Sequence, residues 1–187
     1  LLGSVNSSLI FGMLWKGIDV RKYGSGNAGA TNTYRTLGPL AAGIVFVGDV
    51  AKGVIAVLSG MLIAGEYGMM AAAIGAILGH NWPLYFGFKG GKGIATSLAV
   101  ILSLNWKIGI ILMLVAIAII ALTRYVSLGA ILGAALYPVL TGIFDKERLW
   151  IALIIASLAI LRHNQNINRL LKGIESKLGE KKHNIKE

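Results

Sequence analysis

Apolar residues fall into seven runs along the chain: Leu1 to Trp15, Pro39 to Ala64, Tyr67 to Phe86, Ile94 to Leu104, Ile108 to Thr123, Val126 to Phe144 and Leu149 to Leu161. Runs of this length, separated by short polar loops, read as helices immersed in lipid. Several fall short of the ~20 residues that a straight span needs, so local thinning or incomplete crossings are expected. The run to Trp15 is about 22 Å as a helix, against a hydrocarbon core of roughly 30 Å, which predicts further residues before Leu1. It has neither the basic start nor the small-residue cleavage site of a signal peptide.

Composition carries the same message. Of 187 residues 56% are hydrophobic and 14% charged, more apolar surface than a soluble domain of this length can hide. The expected fold is all-α, a polytopic integral membrane protein of about seven transmembrane helices, forming a single domain over residues 1–187.

Charge then orients the chain. The net charge of +10 would suggest nucleic acid on a soluble protein. Here the lysines and arginines sit in short loops, so nucleic acid is not an expected partner; membrane lipid and phosphorylated substrates are. If the loop from Lys16 to Leu37 is cytoplasmic, two crossings return the chain to the same side at Lys89 and Lys92. The basic tail after Arg162 belongs there too, which requires an even number of crossings in between. The Asn105-Trp106-Lys107 interruption supplies that parity by splitting one long helix into two. Fourteen basic residues then face the cytoplasm, against Lys107, Lys146 and Arg148 outside. The N-terminus is expected outside and the C-terminus in the cytoplasm. The lysine- and glutamate-rich tail after Gly179 reads as a frayed end.

The absence of cysteine excludes disulfides and thiolate chemistry. His80, His163 and His183 lack the spacing of a helical metal site, so neither a metal nor another cofactor is expected.

Two loops carry candidate chemistry. From Gly87 to Gly93 four glycines and two lysines crowd together. This is not a Walker A loop: five residues before Gly91 stands Phe86, and Gly93 follows Lys92. It reads either as a glycine-lysine anion nest at a helix start or as a cytoplasmic loop with ordinary orientation charges. In the first loop Gly24, Gly26 and Gly29 satisfy GxGxxG, but no strand precedes them and Asp49 lies inside an apolar run, so a dinucleotide fold is excluded. Ser25, Asn27, Thr31 and Asn32 supply hydroxyls and amides there. Arg35, four residues after Thr31 and three after Asn32, shares their helix face and can hold phosphate bidentately.

Elsewhere, Asp49 and Lys52 stand three apart within a span and are expected to pair. His80 reads as a hydrogen-bonded packing residue, and Trp82 and Tyr85 as members of the interfacial aromatic belt. Ser127 caps a helix or donates to a phosphate. Ile167, Leu170, Leu171, Ile174 and Leu178 follow the 3,4 spacing of an amphipathic helix, with His163 and Asn166 turned toward the protein.

Taken together, these segments resemble the bacterial acyl-phosphate:glycerol-3-phosphate acyltransferases, the PlsY family. The resemblance runs through Gly24-Ser25-Gly26-Asn27-Ala28-Gly29-Ala30-Thr31-Asn32 with Arg35, through Gly79-His80 and Gly87-Phe88-Lys89-Gly90-Gly91-Lys92-Gly93, and through His163-x-x-Asn166-x-x-Arg169-Leu170-Leu171-x-Gly173-x-Glu175. Leu2-Gly3-Ser4, Asp49-x-x-Lys52-Gly53 and Arg124-Tyr125-Val126-Ser127 extend it over nearly the whole chain. One departure is Asn6-Ser7-Ser8, where the family usually has a proline, which bears on the packing of the first helix.

The resemblance implies transfer of a fatty acyl group from acyl phosphate to the 1-hydroxyl of sn-glycerol 3-phosphate, giving lysophosphatidic acid and phosphate, in a bacterial cytoplasmic membrane. It implies Ser25, Arg35, Lys92 and His163 as catalytic residues. Asn27, Thr31, Asn32, Gly90, Gly91, Gly93, Ser127 and Asn166 are implied to bind substrate, with the second glycine-rich segment taking the acyl phosphate and His163 and Asn166 placing glycerol phosphate. A greasy donor and a water-borne dianion must meet at a membrane face. Neither glycine-rich motif offers a carboxylate base, so the substrate phosphate is expected to take the hydroxyl proton, with His163 as the competing base. The rival reading is a transporter for phosphorylated solutes, which would place charges near the midplane and show related halves. A lipid-phosphate phosphatase would need paired histidines and a downstream aspartate, which are missing.

Overall fold

Asn6 decides where the first apolar run becomes helix. Its side chain accepts the Leu9 N–H at 3.0 Å, so α1 (Ser7–Lys16) is about 15 Å long, and residues before it form a short 3-10 turn at Leu2–Ser4. An N-cap needs a side-chain acceptor. The departure at Asn6 is thus a capping residue, and its amide donates to the Ala28 carbonyl at 3.4 Å.

The computed structural model describes residues 1–180, and every regular element among them is helical. After α1 come α2 (Ala30–Leu37), α3 (Pro39–Asn81), α4 (Ile94–Leu104), α5 (Trp106–Thr123), α6 (Val126–Phe144), α7 (Leu149–Arg162) and α8 (Asn164–Leu171). The tail expected to be frayed lies, from Lys181 onward, outside the described residues. The chain forms two compact units, Leu1–Thr96 and Ser97–Glu180.

In the first unit, α3 is two arms. Ala64 (φ −143°, ψ 28°) and Gly65 (φ 59°, ψ −145°) leave helical geometry, a conformation that glycine adopts without steric cost. The arms fold back so closely that a Cβ on Gly60 would strike the Gly68 backbone. Asp49 and Lys52 form the expected pair at 2.8 Å, joining His80 from the other arm at 2.8 Å from Lys52 Nζ. Breaking such a buried pair by removing one partner costs about 3–5 kcal/mol. The second arm ends at Asn81, earlier than the apolar run to Phe86, because Pro83 has no N–H to continue it and constrains Trp82 (φ −131°, ψ 70°).

In the second unit, α6 packs against both α5 and α7. Asn105 accepts the Ile108 N–H at 3.3 Å and so separates α4 from α5 where the interruption was expected. Its amide donates to Asp145 at 3.0 Å, which Arg148 also holds at 2.9 Å, tying two turns together.

The stretch Pro39–Phe86, α5 and α6 are long and apolar enough to cross a membrane. α1, α4 and α7, of 10, 11 and 14 residues, are shorter than a straight span. Leu62, Ile63 and Leu122 are more than 80% exposed, an arrangement stable against lipid and costly against water.

Candidate active site

The first unit contains both glycine-rich loops. Gly17 closes α1 in the left-handed region (φ 65°), and Asp19 then caps a single 3-10 turn, Val20–Lys22. Gly24 and Gly26 take φ of 59° and 73°, which bends the chain around an exposed Ser25. The centre of this loop is Asn32, buried in the first turn of α2. Its Oδ1 accepts the Ser25 N–H at 2.8 Å and the Ser25 hydroxyl at 3.1 Å. Its Nδ2 donates to the carbonyls of Val20 at 2.9 Å and Tyr23 at 3.1 Å. One amide side chain thus stands in for a whole turn of secondary structure.

α2 realises the expected spacing, with Thr31 and Arg35 half-buried and one helical turn apart. Asn27 lies at the turn into α2, its carbonyl accepting the Gly29 N–H at 3.2 Å. Thr33, unremarked in the sequence, anchors α2 through a 2.8 Å bond to Ser8 of α1.

The second loop leaves α3 by folding back on its end. Gly90 N–H donates to the Asn81 carbonyl at 3.2 Å and Gly91 N–H to the His80 carbonyl at 3.1 Å. These two amides, expected to face an anion, are turned to the protein instead. The glycines are needed for close approach: a Cβ on Gly90 would meet the His80 carbonyl and Pro83, and one on Gly91 the His80 ring and the Ala28 carbonyl. Gly93 (φ 72°) then turns the chain into α4, with Lys92 half-buried beside it.

The structure brings the two loops together. Arg21 Nη1 donates to the carbonyls of Phe86 at 2.9 Å and Lys89 at 2.8 Å, while its Nε and Nη2 hold Asp19. The guanidinium bonded to Asp19 keeps that carboxyl below the usual carboxylate range. In the sequence Arg21 is only one of the fourteen basic residues expected to face the cytoplasm. Its partners are backbone carbonyls some 65 residues away, which no sequence pattern marks.

The third segment belongs to the second unit. His163, at the junction of α7 and α8, is buried, and its Nδ1 lies 2.8 Å from the Ala159 carbonyl. A carbonyl only accepts, so Nδ1 carries the proton and Nε2 of the neutral ring is the acceptor. α8 ends at Leu171, short of the amphipathic pattern to Leu178, because Gly173 (φ 68°) terminates it. Gly173 N–H reaches Leu170 at 3.0 Å and Ile174 N–H reaches Arg169 at 2.9 Å, the paired bonds of a Schellman ending.

That ending swings Glu175 back into the protein. Its Oε1 accepts from Ser127 at 2.8 Å and Asn166 at 2.6 Å, and its Oε2 from Arg169 at 2.6 Å. Burial alone would raise this carboxyl, but Arg169, Asn166 and Ser127 together outweigh it and hold the group below its ordinary value. Ser127 is therefore not a helix cap. Beyond Glu175, the Leu178 N–H donates to the Arg124 carbonyl at 2.7 Å and Arg124 Nη2 returns to the Leu178 carbonyl at 2.9 Å.

Among the described residues the chain is all-helical, with exposed apolar surface, two interlocked glycine-rich loops and a buried His163 and Asn166, and proteins of one membrane enzyme class match it. The family described as glycerol-3-phosphate acyltransferase matches residues 1–173. The glycerol-3-phosphate acyltransferase of Thermoanaerobacter sp. (strain X514) is 50% identical over 183 residues, 97% of this chain and 92% of that protein. That of Clostridioides difficile (strain 630) is 43% identical over 189 residues, covering 97% and 93%. The crystal structure of PlsY (YgiH), an integral membrane glycerol 3-phosphate acyltransferase, in its glycerol 3-phosphate form is similar with a TM-score of 0.90 at 38% identity, over 96% of this chain and 91% of that one. The lysophosphatidic acid form gives 0.87 at 37%, with the same coverage. The chain belongs to the glycerol-3-phosphate acyltransferase family.

Proposed function

We propose that this chain transfers a fatty acyl group from acyl phosphate to the 1-hydroxyl of sn-glycerol 3-phosphate at the cytoplasmic face of a bacterial inner membrane. As a family member it is a glycerol-3-phosphate acyltransferase of phospholipid synthesis. The acyl-phosphate donor, the face, the topology of about seven crossings with the N-terminus outside, and the residue roles are our reading. One family match across both units supports treating residues 1–187 as a single acyltransferase domain.

The observation that carries the reading is the locking of the two glycine-rich loops by Arg21. Ser25, Arg35 and Lys92 belong to the same unit as those loops. Two anionic substrates repel each other, and Arg35, Lys92 and the N-terminal amides of α4 offset that repulsion, while the Ser25 hydroxyl turns its single proton from Asn32 to a phosphate oxygen when substrate binds. Asn27 and Thr31 line the first loop. Asn32, whose hydrogen bonds lie within the loop, acts by holding Ser25. In the third segment, Glu175 holds Asn166 and Ser127, and the Ala159 carbonyl sets the His163 ring for glycerol phosphate.

In the reaction, the 1-hydroxyl oxygen attacks the acyl carbonyl carbon and the bond from that carbon to the phosphate oxygen breaks. The hydroxyl proton ends on a phosphate oxygen, and inorganic phosphate leaves. Acyl phosphate is already activated, so positioning and charge stabilisation suffice. The purified protein in detergent, given acyl phosphate and labelled glycerol phosphate, is expected to form labelled lysophosphatidic acid and phosphate in equal amounts. Phosphate release without acyl transfer, or vesicle uptake of unmodified glycerol phosphate, would overturn the reading.

A further inference from the structure

Lys52 lies buried between the arms of α3, with three acceptors around its ammonium: Asp49 Oδ1 at 2.8 Å, the Val5 carbonyl at 2.9 Å and His80 Nδ1 at 2.8 Å. An ammonium has three N–H donors and no acceptor, so each donor finds one partner. Because Lys52 donates to it, His80 Nδ1 accepts, and the proton of the neutral ring sits on Nε2.

That nitrogen faces the second loop. A Cβ on Gly91 would run into His80 Nε2, while the His80 carbonyl takes the Gly91 N–H at 3.1 Å. One residue therefore meets the loop with both its ring and its backbone. Asp49 is fixed in turn by the Ser7 hydroxyl at 3.1 Å, and its carbonyl accepts from Thr96 at 3.1 Å, three residues beyond Gly93.

A pair of apolar residues would fill the space between the arms as well as this buried ion pair within the first arm does. It would not fix the imidazole in one tautomer and one orientation. We propose that Asp49, Lys52 and His80 are positioning residues for a substrate phosphate: the buried pair sets the His80 ring, and His80 sets Gly90 to Gly93 so that Lys92 meets the phosphate without rearrangement. Preorganised groups of this kind act at no reorganisation cost when charge arrives. The proposal rests on the reading of this loop as a phosphate site.

The full chain in detergent tests it with kcat, the KM of each substrate and the melting temperature. Lys92→Ala identifies which KM the loop controls. The double variant Asp49→Asn with Lys52→Met removes both charges together and so avoids an orphaned buried ion. It is expected to fold, to raise that same KM at least fivefold, and to leave the other KM within twofold. His80→Gln, which can both accept from Lys52 and donate toward Gly91, is expected to recover most of the affinity lost in His80→Phe. A folded double variant with both KM values unchanged, or both raised alike, overturns the proposal. So does His80→Gln performing no better than His80→Phe. If Lys92→Ala moves neither KM, the phosphate reading of the loop falls and the proposal with it; a rise with Lys92→Ala but not with the double variant overturns the proposal alone.

Discussion

Arg21 reaches the Lys89 carbonyl at 2.8 Å and so ties the first glycine-rich loop to the second. The same guanidinium holds Asp19 through Nε and Nη2, using the fixed fork that lysine lacks. Arg21→Lys is expected to lower kcat/KM about tenfold, roughly 1.4 kcal/mol of transition-state stabilisation, with the overall fold kept. Steady-state kinetics beside circular dichroism check this, and unchanged kcat/KM would argue against a shared site.

Ser25 and Asn32 separate chemistry from scaffold. Ser25→Ala removes the hydroxyl but leaves the 2.8 Å bond from its N–H to Asn32, so activity is expected to fall with little change in melting temperature. Asn32→Ala leaves the Val20 and Tyr23 carbonyls without their donor, at about 1–3 kcal/mol for the buried Val20 carbonyl. Its melting temperature is expected to fall together with activity. Thermal unfolding in detergent distinguishes the two.

Glu175 makes the third segment sensitive to acid. Its folded-state carboxyl sits below the ordinary value, so its contribution to stability is complete above the ordinary carboxylate range. It is lost as pH falls through the folded value. As pH falls below about 5, the parent protein is expected to lose melting temperature more steeply than Glu175→Gln, which cannot titrate. Parallel curves would show that Ser127, Asn166 and Arg169 draw nothing from the charge.

His163 is set up by Ala159, which fixes the Nδ1 proton at 2.8 Å and makes Nε2 an acceptor. If the substrate phosphate takes the proton, His163→Gln is expected to keep most of its kcat and to raise the KM for glycerol phosphate. Near-total loss of kcat with unchanged binding would instead make His163 the base.

Much of this architecture was legible in the chain because lipid leaves few choices. The Asn105 interruption, the break near Gly65 and the Asp49–Lys52 pair follow from local spacing and appear where expected. Helix ends were harder. Pro83 stops α3 before the apolar run does, Asn6 delays α1, and Gly173 cuts off α8 although Ile174 and Leu178 continue its periodicity. Candidate residues on helices and glycine-rich turns could be picked out by residue type and spacing. Those that work through distant backbone could not: Arg21 on Phe86 and Lys89, and His80 on Gly91, depend on contacts that only the fold creates. Glu175 stood within the family-like segment, yet its bonds to Ser127 and Asn166 required the turn at Gly173.

Sidedness tests the central claim most directly, that a lipid-borne donor and a water-borne acceptor meet at the cytoplasmic membrane face. Sealed vesicles of known orientation, loaded with acyl phosphate in their membranes, are given labelled glycerol phosphate from outside only. Vesicles with the cytoplasmic face outward are expected to form lysophosphatidic acid at the detergent-treated rate, and right-side-out vesicles to form it only after permeabilisation. Full activity in intact right-side-out vesicles would contradict the account.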